Sequence, residues 1–279
     1  MKSIFDTVSN DCSKIVTKSY STSFSSAVKM LSPSIRNDIY NIYGFVRFAD
    51  EIVDSFHDYD KVALFKMFED DLEAALDKKI SLNPILNAFQ NTVHNHKIPY
   101  DLITSFMKSM KLDLTKKQYL SDSEYKEYIY GSADVVGLMC LKIFVSGNDV
   151  KYDKLKESAM RLGSAFQKVN FLRDLKADFE GLNRTYFPNT DLNKLDEASK
   201  NEIIKEIEAD FKAGYEGLIN LPAEAKFGVY TAFVYYKKLL VKLKNTPSEE
   251  IKNARIRVPN YQKVSLLANC YVKYRLNLL

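Results

Sequence analysis

In the stretch YGFVRFADEIVD (residues 43–54) two carboxylates, Asp50 and Asp54, stand four residues apart among apolar neighbours. On a helix both would face the same way, and like charges at that spacing cost about 0.2–0.5 kcal/mol, so a cation is expected beside them. Tyr43, Arg47, Asp50 and Asp54 step by four, three and four and so share one helical face. A second row occurs in GSAFQKVNFLRDLKADFEGLNRTYFP (163–188), where Gly163, Gln167, Asn170, Asp174 and Asp178 recur at helical spacing. Asn170, Asp174 and Asp178 stack three oxygen-bearing side chains at i, i+4 and i+8. Arg173 lies beside them, and Arg184 and Tyr186 follow just beyond. Oxygen ligands without His or Cys suit a hard cation, Mg²⁺ with Mn²⁺ as the alternative. Two such rows facing each other across a cavity would hold a small Mg²⁺ cluster. Arg47, Arg173 and Arg184 would then clamp a diphosphate, whose oxygens match the guanidinium fork. The metal would act as a Lewis acid on the departing diphosphate, and apolar and aromatic walls would shelter a carbocation.

These rows need long helices, and the pattern supplies them. Ile35, Ile39, Ile42, Val46, Ala49 and Val53 follow the 3.6-residue period closely. Similar patterns run through 62–76, 100–120, 124–145, 151–179, 200–219, 223–243 and 261–276, and alternation of the strand kind is lacking. Most of the seven prolines fall between these segments, and Ser32 before Pro33 reads as a helix cap. Without a Gly-, Ser- or Pro-rich linker or an internal repeat, the expected architecture is a single all-α domain over 1–279, with ten or more helices around one core.

Composition narrows the function classes. The chain has 279 residues, 46% hydrophobic and 27% charged, as expected of a globular protein with a sizeable core. A net charge of +4, evenly spread, argues against nucleic acid as a partner. Cys12, Cys140 and Cys270 read as reduced, buried thiols. His94 and His96 read as surface histidines in a loop, and His57 points away from the first row. MKSIFDTVSNDCSK lacks the apolar core of a signal peptide, and VVGLMCLKIFV (135–145) falls short of the roughly 20 residues a membrane span needs. The expected location is cytoplasmic. The C-terminal VSLLANCYVKYRLNLL (264–279) is expected to pack as a helix, peripheral contact with the inner membrane face being the second reading.

With these residues in place, the two rows resemble the paired aspartate-rich motifs of the squalene/phytoene synthase family. YSTSF (20–24), YIYGSADVVGLM (128–139) and RIRVPNYQK (255–263) resemble further family marks in the same order, so the similarity covers nearly the whole chain. LNRTYFP looks most like the bacterial phytoene synthases. The resemblance implies an all-α isoprenoid synthase fold with a central cavity. It also implies head-to-head condensation of two prenyl diphosphates through a cyclopropylcarbinyl diphosphate, in carotenoid biosynthesis.

Carried onto matching positions, it implies Asp50 and Asp54 as Mg²⁺ ligands at one diphosphate, and Asn170, Asp174 and Asp178 at the other. Arg47, Arg173, Arg184, Ser21, Ser23 and Tyr43 would contact diphosphate oxygens, and Gln167 and Tyr236 would line the substrate site. Two C20 diphosphates would give phytoene without NADPH; a C15-using squalene or dehydrosqualene synthase is the alternative. A terpene cyclase shares the i, i+4, i+8 spacing, but YSTSF and NRTYFP argue against it. A non-catalytic assembly factor of this fold would have lost its acids, which here remain. Three departures from the family pattern stand out: Asp50-Glu51 in place of Asp-Asp, Asp134 in place of Gly, and one extra residue between Asp178 and Arg184.

Overall fold

The apolar stripe of residues 35–53 becomes one face of a helix that begins at Pro33, whose fixed φ and missing N–H suit a first helical turn. Ile35, Ile39, Ile42, Ala49 and Val53 are buried, whereas Val46 is half-buried because it borders a cavity. The computed structural model describes residues 1–182, 184–188, 190 and 193–276. Along them run α1 (Lys2–Tyr20), α2 (Thr22–Val28), α3 (Pro33–Asp54), α4 (Lys61–Lys78), α5 (Pro84–His96), α6 (Tyr100–Leu112) and α7 (Asp122–Ile129). A π-helical turn (Tyr130–Asp134) leads into α8 (Val135–Phe144), followed by α9 (Asp149–Leu182), α10 (Glu197–Leu218), α11 (Ala223–Asn245), α12 (Ser248–Asn253) and α13 (Asn260–Arg275). No strand occurs among the described residues; one isolated bridge joins Gln118 to Thr185.

Prolines punctuate as expected. Pro33 and Pro84 occupy first helical positions, while Pro99, Pro222, Pro247 and Pro259 stand immediately before theirs. Ser32 caps α3 by position only, since its hydroxyl meets Ser34 Oγ at 2.9 Å rather than a backbone N–H.

Several expectations change, among them the burial of Cys12 and Cys140, which are half-buried while Cys270 is buried. The 100–120 helix stops at Leu112, because the chain turns there to lay Gln118 beside Thr185. The 124–145 helix is interrupted by the π turn, closed by the Val135 N–H donating to the Tyr130 carbonyl. Gly131 permits that turn to press on α6: a Cβ at this position would stand 2.0 Å from Ser109 Oγ and 2.8 Å from the Ser105 carbonyl oxygen. His94 and His96 lie on the last turn of α5 rather than in a loop, half-buried, with His96 Nε2 3.1 Å from Asp38 Oδ2. Finally, α13 is mostly exposed, Cys270 being its one buried residue; Asn277, Leu278 and Leu279 lie outside the described residues.

Two apolar cores flank the centre. One gathers α9, α10 and α11, with Val169, Leu172, Ile207 and Leu239 inaccessible to solvent; the other gathers α3, α5, α6 and α8 around Phe45, Phe89 and Met139. Phe144, Tyr152 and Val229 pack against both. α3 and α9 thus bring one polar row each toward the space between the cores. No helix among the described residues is long and apolar enough to cross a membrane.

Candidate active site

The two rows face one polar cavity of about 430 Å³. From α3 come Tyr43, Arg47, Asp50 and Asp54; from α9 come Gln167, Asn170, Arg173, Asp174 and Asp178; Ser21, Arg184 and Tyr236 complete the predicted residues that line it. Ser23 does not join them. Ser21 is the N-cap of α2 and accepts from the Phe24 N–H at 3.2 Å, whereas Ser23, inside the first turn, faces a small groove between α11 and α13.

Each acid of the two rows but one is held by a guanidinium. Arg47 donates to Asp50 Oδ2 at 2.6 Å and also to Glu51, so the second acid of the Asp50-Glu51 pair serves as an arginine partner outside the cavity lining. Arg184 donates from Nη1 to Asp54 Oδ1 at 3.0 Å and to the Tyr186 hydroxyl at 2.9 Å, and from Nη2 to the Asp113 carbonyl at 3.0 Å. The extra residue before Arg184 is therefore accommodated; the Arg184 N–H donates to the Asp178 carbonyl at 2.9 Å. Arg173 Nε donates to Asp174 Oδ1 at 2.9 Å, and Arg255 Nε reaches the same oxygen at 2.7 Å. Asp178 has no cationic partner within ion-pair distance among the described residues. Of the arginines lining the cavity, Arg47 and Arg184 each have an Nε–H buried without an acceptor. Such groups are costly unless something anionic arrives to accept from them.

The electrostatics show that the rows feel one another. Burial pushes the Asp178 carboxyl up to about 7, helped by Asp174 in its own row and Asp54 in the other. Burial, then Asp54, likewise raises Asp50. No three Asp, Glu, His or Cys side chains among the described residues converge on a single point. The donor set is nevertheless all oxygen, its carboxylates repel one another, and Asp178 lacks a counter-charge. That fits Mg²⁺, which keeps few protein ligands and takes the rest from water and substrate phosphate.

Several lining residues were not anticipated. Asp113, at the end of α6, accepts from the Tyr128 hydroxyl at 2.7 Å, and burial raises its carboxyl to about 7. Tyr20 stacks its ring under Arg47, with the guanidinium carbon 4.3 Å from the ring centroid. Ser132, placed by the π turn, has a buried hydroxyl without a partner. Arg255 stood in the quoted RIRVPNYQK and gave the one signal the sequence offered. Asp134 lines neither this cavity nor its neighbour; its carboxylate accepts from Ser164 Oγ at 2.6 Å, and burial raises it to about 6.

The polar cavity opens into an apolar one of about 300 Å³ through a shared rim of Phe24, Tyr43, Val46, Ser132 and Gln167. At this rim Tyr43 stacks on Phe24 with centroids 4.8 Å apart, and burial pushes its hydroxyl up to about 12, so it stays protonated. Tyr236 donates to Asn170 Oδ1 at 3.3 Å and stacks on Phe166 at 4.2 Å. Beyond the rim the walls are mostly aliphatic or small, including Ala159, Gly163, Gly214 and Val229, with Phe144 and Phe166 as the aromatic exceptions. On α9 the lining runs from Gln167 back to Leu155, about 18 Å at 1.5 Å per residue.

Comparison with known proteins bears on this geometry. The family model for Squalene/phytoene synthase matches residues 17–262. The chain is 24% identical over 269 residues to a 15-cis-phytoene synthase of Paracoccus sp., covering 88% of this chain and 86% of that one. It is 23% identical over 275 residues to the 15-cis-phytoene synthase of Pantoea ananas, with coverage of 88% and 86%. A solved dehydrosqualene synthase in complex with ligand superposes with a TM-score of 0.82 at 22% identity, over 97% of this chain and 98% of that one.

Proposed function

Because the chain belongs to the squalene/phytoene synthase family, a family of head-to-head prenyltransferases, we propose that it condenses two geranylgeranyl diphosphates (C20) to phytoene through a cyclopropylcarbinyl diphosphate. One observation carries this reading: a cavity with two carboxylate rows and buried, acceptor-poor arginines opens at an aromatic rim into an apolar tunnel. That is the shape and polarity of a diphosphate joined to a long hydrocarbon. The relatives named phytoene synthase support the C20 substrate.

The chain's own groups divide the work. Arg47, Arg173, Arg184 and Arg255 exchange their carboxylate partners for diphosphate oxygens, so the site meets its substrate with its donors already oriented. Asp50, Asp54, Asn170, Asp174 and Asp178 would hold Mg²⁺, which supplies Lewis-acid stabilisation of the leaving diphosphate when bound. Tyr43, protonated at every working pH, donates a hydrogen bond at the rim, where the carbon–oxygen bond breaks. Phe24 and Tyr43 present ring faces to the allylic cation, and the apolar tunnel keeps water from it.

Phytoene formation needs no reductant, so NADPH is not required. The test is incubation of the protein and Mg²⁺ with C15 or C20 diphosphate, with and without NADPH, and identification of the product. Phytoene from C20 in the absence of NADPH supports the proposal. Dehydrosqualene or squalene formed in preference from C15 would replace it with the shorter-chain activity.

A further inference from the structure

Of the rim residues shared by the polar and the apolar cavity, Ser132 is the one carried by the π turn. Its Oγ is buried and meets no hydrogen-bond partner among the described residues. Gln167, on the same rim, also pairs its amide with nothing among them. A buried O–H without an acceptor destabilises the fold, so its presence at a cavity wall calls for a ligand that accepts from it. The turn that carries Ser132 is seated directly on α9. A Cβ at Gly163 would stand 2.9 Å from the Ala133 carbonyl oxygen and 3.4 Å from Asp134 Cα. Asp134, one of the departures from the family pattern, accepts from Ser164 Oγ at 2.6 Å and ties the turn to the same helix. Ser132 therefore reaches the rim on the α9 side, where Gln167 stands one turn after Gly163 at the apolar end of the second acidic row.

The rim divides the polar cavity from the apolar tunnel, so the bond that crosses it is the C–O bond of a prenyl diphosphate. Head-to-head condensation breaks two such bonds in turn. Tyr43 attends the α3 side. The open guanidinium N–H groups, Arg47 Nε and Arg184 Nε, belong to the same row, since these arginines hold Asp50 and Asp54. The first diphosphate to leave therefore departs there, and the one kept in the cyclopropylcarbinyl diphosphate is that of the α9 row. We propose that Ser132 is a further catalytic residue, whose hydroxyl donates a hydrogen bond to the oxygen of this second diphosphate as its C–O bond breaks. The inference rests on the proposed function and deepens it. The C–O electron pair leaves with the diphosphate, the cation rearranges, and the proton it loses passes to the departed diphosphate. No reductant is required. Negative charge on the leaving oxygen grows as the bond breaks, so the hydrogen bond strengthens in the transition state.

The test follows C20 diphosphate with Mg²⁺ through one turnover of the wild type, Ser132→Ala, Ser132→Thr and Ser132→Val. Consumed C20 diphosphate, the C40 cyclopropylcarbinyl diphosphate and phytoene are each measured. The last two variants share a shape and differ in the hydroxyl, which separates hydrogen bonding from packing. Ser132→Ala is expected to consume C20 diphosphate within about twofold of the wild-type rate, yet to form phytoene about tenfold or more slowly. The cyclopropylcarbinyl diphosphate should accumulate in it. Ser132→Thr should give a higher ratio of phytoene to this intermediate than Ser132→Val. An unchanged ratio in Ser132→Ala, equal ratios in the last two variants, or slowed C20 consumption with no intermediate would overturn the proposal. A wild type that turns over C15 diphosphate alone would replace the proposed substrate, and the same ratio, read on C30 products, would still decide the role of Ser132. A wild type that consumes neither would overturn the proposed function and this role together.

Discussion

Arg184 donates to Asp54 at 3.0 Å, so a residue lying beyond the second acidic row closes on the last carboxylate of the first. The same guanidinium reaches Tyr186 and the Asp113 carbonyl and is almost fully buried. Arg184→Lys keeps the charge but loses the fork that serves three acceptors at once. The expected result is a loss of about 1–3 kcal/mol in urea unfolding, together with a fall in turnover. An unchanged unfolding midpoint would show that Arg184 does not tie the rows together.

Arg255 presents the opposite case. Its side chain is 49% exposed, stands at the edge of the cavity and holds Asp174. Arg255→Ala is expected to leave stability within about 0.5 kcal/mol. It should raise KM for the diphosphate substrate about tenfold or more, the value of a lost charge-assisted hydrogen bond. An unaltered KM would make the Asp174 contact incidental.

Acidity gives a third prediction. Asp178 and Asp113 hold their protons up to about 7, raised chiefly by burial, whereas an unfolded aspartate releases its proton near 3.9. Between these values the folded chain binds more protons than the unfolded one. The stability involved is fully present below the unfolded value and is lost as pH rises through 7. With cations chelated, Tm should therefore fall from pH 6 to pH 8. Asp178→Asn should flatten the fall, and Mg²⁺ with pyrophosphate should reduce it. A Tm that rises over this interval would contradict the assigned charge states.

The tunnel offers a fourth. Ala159 lines its deeper half, eight residues before Gln167 on α9. Ala159→Phe fills that space. It is expected to lower kcat/KM for the C20 diphosphate about tenfold or more while sparing the C15 substrate. Equal effects on both would place the tail elsewhere.

The period of α3 and α9 makes both rows readable in the sequence, because residues at i, i+3 and i+4 on one helix must share a face. Arg184 was also legible, from its place just after the second row. Asp113, Tyr128 and Ser132 were not. Their roles arise from contacts between α6, the π turn and α9, and nothing local marks a π turn in a pattern that otherwise reads as continuous helix. Ser23 was misplaced for a related reason: in YSTSF the chain passes from an N-cap into a helix, and two residues further on the side chain has turned to another groove. The exposure of α13 was likewise invisible, since an apolar helical stripe looks the same whether or not something covers it.

The central claim is that the two acidic rows act together on one diphosphate-bearing substrate. It is tested most directly by turnover of C20 diphosphate with Mg²⁺ by the wild type, Asp50→Asn and Asp174→Asn, with circular dichroism on each. The account predicts a C40 hydrocarbon from the wild type, at least about a thousandfold less from either variant, and unchanged helical signal. Near-normal turnover in either variant would contradict it.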